Sequence, residues 1–378
     1  MNASVASMIY KFNMDNICIL QSLGYQVDVA CNFDPAINPI SKDEIEDCRR
    51  QLKKLLCRIL DTSCPRSVTH VSDMIKSYRQ LKKIADREHY DLVHTQSPIG
   101  GVICRMAFRQ ARQKYGTRVI YQAHGFHFFK GAPIWNWLSY YPIEKYCSRM
   151  TDTLITIAKE DEALAKKKFH CRDVQYVPGV GLDTDKYSYS RLSEGERKHV
   201  REEIGVPERA IWILSVGELN ENKNHLTAIR ALGKVPCEGL HYVIAGIGGL
   251  EELLREEAAK QHVQLHLLGF RTDVHELLGM ADLFLFPSRR EGLSVSLMEA
   301  MASGLPCVAS RIRGNVDLIE DGRGGYLCPP EDADAFADAV TRLLTGNRRA
   351  EMGRWNREKI SGFSLDRVAS QMKEIYAE

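Results

Sequence analysis

The sequence predicts an α/β protein of two doubly wound domains, each a parallel sheet flanked by helices. Three observations point there. The chain has 378 residues, more than one hydrophobic core usually serves. Short, nearly continuous apolar runs alternate with helical segments in both halves, the pattern of strands buried on both faces. A polar segment, 188–210, separates the halves. The expected division is 1–187 and 188–350, with a helical end, 351–378, able to cross back to the first domain.

In the first half the strands are expected at 25–31 (YQVDVAC), 90–96 (YDLVHTQ), 117–125 (TRVIYQAHG), 151–157 (TDTLITI) and 174–179 (VQYVPG). MDNICILQSLG and PIGGVICRMAFRQARQKYG read as helices, each closed by a glycine. RQLKKLLCRILDTSCPRS begins as a helix, and its end reads equally as a strand running to the loop at Pro65. Only MNASVAS precedes the helix at 14–23. The first strand is therefore expected to be shortened or missing, through an internal start or a truncation. In the second half, 210–217, 240–246, 263–269, 281–287 and 305–310 are strands of nearly unbroken apolar character. Ligands of such sheets bind beyond the carboxyl ends of the strands, and two facing sheets make a cleft.

Composition excludes several classes. At 44% hydrophobic and 26% charged residues the chain is an ordinary globular protein. No apolar run approaches about 18 residues, and the start lacks the basic-then-apolar order of a leader. Eleven cysteines without a CxxC pair read as reduced, mostly buried thiols, which places the chain in the cytosol. Residues 1–185 hold 26 Lys+Arg against 20 Asp+Glu, and residues 186–378 hold 25 against 29. The basic first half suits an anionic membrane surface or a phosphorylated substrate as well as plain solvent. Nucleic acid is disfavoured, because no basic helix is interleaved with aromatics.

The chemistry concentrates in SRREGLSVSLMEAMASG, 288–304, which follows the strand ADLFLFP. Ser294 or Ser296 can cap a helix through LMEAMASG. The amides of Gly292, Leu293 and Ser294 then lie at a helix N-terminus, where free N–H groups and the dipole suit a diphosphate. Glu291 stands just before the helix, free to accept from sugar hydroxyls. Glu299 lies on its second turn, in reach of a ribose diol.

This stretch resembles the E-x7-E signature of family 4 retaining glycosyltransferases, which have the GT-B fold of two Rossmann-like domains. The resemblance spans nearly the whole chain. SVGELNENKNHLTAIRAL, YVIAGIGGLEELL, LLGFRTDVHELLGMADLFLFPS and GNVDLIEDGRGGYLCPPEDADAFADAV follow in the family's order. In the first half YQAHGFHFFKG, TDTLITIAKED and VPGVGLDTDKY also match. HTQSPIGG and AHGFHFFKGAPIWNWLSYYPIEK look like members that build bacterial capsule or exopolysaccharide.

The resemblance implies transfer of a sugar from a nucleotide diphosphate sugar, a UDP-hexose or UDP-N-acetylhexosamine, to a hydroxyl with retention. The implied acceptor is a polyprenyl-diphosphate-linked saccharide, met in peripheral contact with the inner membrane face. Glu291 would bind donor-sugar hydroxyls and Glu299 the ribose. Lys223 would neutralise the β-phosphate, where leaving-group charge develops. Gly217 and Glu218 belong to the phosphate loop, and Gly269, Phe270 and Arg271 lie near the base. His124 approaches the donor sugar, and His127 and Lys130 lie on the acceptor side. The aromatic run IWNWLSYY either contacts a lipid-linked acceptor or fills core. Glu218 stands where the family commonly has arginine. Its carboxylate repels a diphosphate, so it either points away or contacts something else.

Neither cofactor nor metal is expected. GIGG after the strand at 240–246 lacks the third glycine of a dinucleotide fingerprint, since Glu251 takes that place. No His, Cys or carboxylate cluster has metal-ligand spacing. Two rivals remain, a nucleotide-sugar 2-epimerase of the same fold and a catalytically weak partner subunit that binds nucleotide sugar.

Overall fold

A computed structural model describes residues 1–188 and 192–378. Residues 189–191, near the head of the polar segment read as a linker, lie outside the described residues. The chain divides into two compact units, Met1–Val180 with Asp366–Glu378, and Gly181–Leu365.

The first unit runs β1 (Asn2–Val5), α1 (Ala6–Phe12), α2 (Met14–Ser22), β2 (Asp28–Asn32), α3 (Lys42–Lys54), β3 (Arg58–Asp61), α4 (Val71–Glu88), β4 (Leu92–Gln96), α5 (Pro98–Tyr115), β5 (Arg118–Ala123), α6 (Ile134–Cys147), β6 (Thr153–Thr156), α7 (Lys159–Lys168) and β7 (Asp173–Tyr176). The second runs α8 (Thr184–Ser188), α9 (Glu194–Ile204), β8 (Ile211–Val216), α10 (His225–Leu232), β9 (Leu240–Ala245), α11 (Glu251–Lys260), β10 (Gln264–Leu267), α12 (Val274–Met280), β11 (Leu283–Phe286), α13 (Val295–Ala302), β12 (Cys307–Ser310), α14 (Asn315–Leu318), β13 (Gly325–Cys328), α15 (Ala333–Thr345) and α16 (Arg349–Ser361). Then α17 (Leu365–Ala377) returns to the first unit.

The first sheet has the order β3-β2-β1-β4-β5-β6-β7 and the second β10-β9-β8-β11-β12-β13, with all pairs parallel. Each order reverses once, between β1 and β4 in the first sheet and between β8 and β11 in the second. Parallel strands burying both faces explain the unbroken apolar runs. In the second unit Trp212, Leu214, Phe284 and Phe286 enter one core, while Ile213, Leu283 and Leu285 enter the other. Alternate residues of one strand thus serve opposite helix layers.

The first strand, expected to be shortened or missing, is present. It is four residues long and pairs with both β2 and β4 at the middle of the sheet. The division falls at 180/181 and not at 187/188, because Leu182 and Tyr187 are buried in the second unit's core. The end 351–378 is not one piece. Met352 and Ile360 of α16 pack within the second unit, while Val368, Met372, Ile375 and Tyr376 of α17 enter a core of the first. The Tyr376 hydroxyl also lies 2.7 Å from His94 Nδ1.

Candidate active site

The second sheet reverses where β8 and β11 lie side by side, and the segments after these two strands carry Gly217, Glu218, Lys223, Glu291 and, on α13, Glu299. Such a reversal opens a crevice at the carboxyl ends of the strands. The two segments are stitched together. Arg289 N donates to Asn222 O at 2.8 Å, and Asn222 Nδ2 donates to Arg290 O at 3.0 Å. Asn224, in the left-handed region at φ 56°, donates to Pro287 O at 3.2 Å and Pro330 O at 2.8 Å.

That stitching brings Lys223 to Glu291, with Nζ 2.8 Å from Oε1 and both side chains mostly buried. The ammonium lies 5.0 Å from the Phe286 ring centroid. Its stem crosses Gly217, where an added Cβ would stand 3.0 Å from Lys223 Cε. Gly217 is itself overlain by Gly246, whose Cβ would lie 1.9 Å from Gly217 O, so only glycine fits there.

Helix α13 starts at Val295, and Ser294 is its N-cap, accepting from Leu297 N at 3.4 Å. Gly292 and Leu293 therefore precede the helix rather than open it. Gly314 packs on Gly292, where a Cβ would meet its carbonyl oxygen at 1.5 Å. Glu299 is half-buried on the second turn and accepts from the Tyr187 hydroxyl at 2.6 Å. Burial raises its carboxyl above the ordinary range, with Tyr187 and Lys186 opposing the rise. Tyr187 gave no signal in the sequence, because it is 112 residues away from Glu299.

Glu218 is exposed, and Asn220 Nδ2 donates to its Oε2 at 2.8 Å, within its own loop. Gly269 bridges to Gly246, which places the 269–271 loop beside the phosphate loop. Phe270 is 76% exposed there. Arg271 is engaged elsewhere, bidentate to Asp273 at 2.8 and 2.6 Å and 3.0 Å from Glu203. Its side chain is a surface ion-pair partner.

In the first unit His124 Nε2 lies 2.6 Å from Gln96 Oε1. Gln96 Nε2 points to Asn13 Oδ1 and to Gln122 Oε1, so Gln96 Oε1 must accept and His124 Nε2–H donates. Burial lowers His124 to about 4, which keeps the ring neutral with Nδ1 as its acceptor. His127 stacks on Tyr140 at 4.6 Å. Lys130 is exposed, its amide donating to Glu160 Oε1 at 2.8 Å.

The reversal of the first sheet, between β1 and β4, also carries a cavity. Its volume is about 420 Å³, and Ser4, Val5, Ser97, Ile99, His127 and Tyr140 are among its walls. Ser97 has φ 67°, uncommon for a residue with a side chain, and its Oγ lies 2.6 Å from Ser4 Oγ. Sequence reasoning missed this cavity, because it depends on which strands become neighbours.

Two family descriptions match the chain, "Glycosyltransferase Family 4" over residues 19–186 and "Glycosyl transferases group 1" over residues 196–359. EpsD of Bacillus subtilis, named as a glycosyltransferase, is 40% identical over 306 residues, 79% of this chain and 80% of that protein. An Escherichia coli protein named UDP-Gal:alpha-D-GlcNAc-diphosphoundecaprenol alpha-1,3-galactosyltransferase is 29% identical over 380 residues, 98% of this chain and 93% of its own length. Among solved structures, Anabaena Alr3699/HepE in complex with UDP superposes with a TM-score of 0.77 at 17% identity. It covers 100% of this chain and 98% of its own. The chain belongs to the group 1, family 4 glycosyltransferases and has their GT-B fold. It is a transferase.

Proposed function

We propose that this glycosyltransferase moves a sugar from a nucleotide diphosphate sugar, a UDP-hexose or UDP-N-acetylhexosamine, to a hydroxyl of a lipid-linked saccharide in polysaccharide synthesis, with retention. The observation that carries the donor side is the Lys223–Glu291 pair at the reversal of the second sheet, 2.8 Å apart and just ahead of a capped helix bearing Glu299. Support for the nucleotide comes from the UDP named with HepE, and for the acceptor from the diphosphoundecaprenol in the name of the Escherichia coli relative.

In this reading the diphosphate takes Lys223 from Glu291. Lys223 then faces the β-phosphate and Glu291 accepts from the donor sugar. The bond from the anomeric carbon to the phosphate oxygen breaks, its electron pair leaving with the phosphate. The acceptor oxygen bonds to that carbon from the same face, and its proton passes to the departing phosphate. Lys223 meets the charge as it builds, so turnover is expected without an added divalent cation. The exposed Phe270 ring and the backbone of Gly269 and Arg271 flank the base. On the first unit, neutral His124, held by Gln96, keeps Nδ1 as an acceptor for a sugar hydroxyl, and His127 and Lys130 are assigned to the acceptor.

The first test is thermal unfolding against UDP-, GDP-, ADP- and dTDP-sugars, with NAD as control. A ligand at about 100 times its Kd adds about 2.7 kcal/mol. A shift with UDP-sugars alone is expected, and no shift with any would sink the donor assignment. An isomerised donor without a new glycoside would identify an epimerase instead.

Tyr187 and Glu299 give a paired prediction. Glu299→Ala is expected to raise the donor KM by about tenfold or more, the worth of hydrogen bonds to a charged acceptor. Tyr187→Phe keeps the carboxylate and frees it, so a smaller rise is expected. Steady-state kinetics that show equal effects would separate Glu299 from the ribose.

A further inference from the structure

His124 is half-buried, and the proton on its ring is placed by a chain of amide side chains that starts at a backbone carbonyl. Met8 O can only accept, so Asn13 turns its amide nitrogen to it, Nδ2 donating at 2.7 Å. Asn13 Oδ1 then faces the other way, where Asn16 Nδ2 donates to it at 3.2 Å. Gln96 Nε2 donates to the same oxygen, and to Gln122 Oε1 at 3.0 Å. Only the oxygen of the Gln96 amide is left for His124, whose Nε2 lies 2.6 Å away. The ring must donate from Nε2, and in its neutral form Nδ1 is a bare acceptor.

The anchors are fixed. Asn13 ends α1 and begins α2, its N–H donating to Ile9 O at 3.0 Å and its carbonyl accepting from Ile17 N at 3.0 Å. Asn13 and Gln96 are fully buried, so neither amide can turn over without stranding a polar group away from water. Phe12 packs against the His124 ring, with centroids 5.5 Å apart.

The electrostatics agree. Burial keeps His124 neutral, and no charged side chain among the described residues adds to that shift. His94, on the same face of β4 as Gln96, is also neutral, burial lowering it to about 3. Nδ1 of His124 makes no hydrogen bond among the described residues. Packing alone would be served by apolar side chains, which need no desolvated amides to orient one ring.

We infer that Asn13 and Gln96 are positioning residues that lock His124 as a hydrogen-bond acceptor at Nδ1, so that the ring recognises a substrate hydroxyl and rejects a group with no proton to give. The inference rests on the glycosyltransfer reading for the identity of the substrate. The locked tautomer stands on the first unit alone, so the two can fail separately.

The tautomer is read by long-range proton–nitrogen NMR of the full chain, isotopically labelled at histidine, with His124 assigned by its absence in His124→Gln. A protonated Nε2 and a bare Nδ1 are expected from about pH 8 down to about pH 5. Asn13→Ala frees the Gln96 amide to turn, and a mixture of both tautomers is expected. A wild-type ring protonated at Nδ1 would overturn the inference, and so would an unchanged signature in Asn13→Ala. Kinetics test the use of the lock. Gln96→Glu sets a carboxylate against Nε2–H, which favours the imidazolium and raises the pH at which Nδ1 ceases to accept. The kcat/KM for the UDP-sugar that gives the thermal shift, taken as the ratio of Gln96→Glu to wild type, is expected to fall about tenfold between about pH 9 and about pH 6. A ratio equal at every pH would reduce Gln96 to a structural part and overturn the inference. Wild-type kinetics in His124→Gln would overturn it as well. The locked tautomer without any nucleotide-sugar shift would uphold the clamp and sink the donor reading.

Discussion

Lys223→Ala is expected to lower turnover by about two to three orders of magnitude, the usual loss when one preorganised charge donor to a transition state is removed. The argument starts from the resting geometry. Lys223 Nζ sits 2.8 Å from Glu291 Oε1, with its stem against Gly217 and its ammonium over Phe286. Little rotamer freedom is left to lose when a phosphate arrives, which is what preorganisation means here. The pair is mostly buried yet reached by solvent, so its loss should lower the thermal midpoint only modestly. Alanine also leaves Glu291 without its cation. Glu291→Gln, alone and with Lys223→Ala, therefore separates the two effects. If the lysine acts on the leaving phosphate, the kcat loss persists in the double variant. Equal kcat for the wild type and Lys223→Ala under saturating donor would remove Lys223 from the mechanism.

Sequence legibility followed local physics. The strands β8, β9, β11 and β12 were readable because both of their faces are buried and all but Ser215, His241 and Ser310 of their positions are apolar or aromatic. By the same logic β1 was hard to see. Asn2 and Ser4 occupy two of its four positions, yet both are buried, Asn2 Nδ2 donating to Ala30 O and Ser4 bonding to Ser97 Oγ. Helix α1 escaped notice because Val5 precedes it with no side-chain cap. The strand β13 was hidden between Gly324 and the prolines at 329 and 330.

The site shows the same split. Lys223, Glu291 and Glu299 stood out as residue types around a strand, turn and helix. What holds them did not. Tyr187 meets Glu299 across 112 positions, and Glu218 turns to Asn220, a contact that its charge alone did not reveal. Arg271 lies in the loop expected near the base, and its side chain is engaged by Asp273 and Glu203. Long-range partners decide which charged side chains remain open to a ligand, and single-sequence patterns do not carry them.

Arg105→Ala is expected to destabilise the first unit by about 3–5 kcal/mol, the cost of breaking a buried ion pair and leaving one charge behind. Arg105 sits on the core side of α5 and is almost fully buried, as is Glu144 on α6. Its Nη2 donates to Glu144 Oε2 at 2.8 Å, its Nε to Gly101 O at 2.9 Å, and its guanidinium lies 3.8 Å over the Tyr121 ring. The Tyr121 hydroxyl donates to the other carboxylate oxygen, Oε1, at 3.3 Å. The cluster fastens α6 to α5 and β5. Urea unfolding followed for the first unit should show the loss as a lowered midpoint. Glu144→Gln keeps one acceptor oxygen for Arg105 but leaves the buried guanidinium without its counter-charge, so it should also lower the midpoint. Arg105→Met with Glu144→Leu removes both charges together and should recover much of the stability, since an apolar pair of similar volume needs no desolvation. If Arg105→Ala unfolds at the wild-type midpoint, the pair does not hold the helix. If the double variant is as weak as Arg105→Ala, the lost packing over Tyr121, and not the stranded carboxylate, sets the cost.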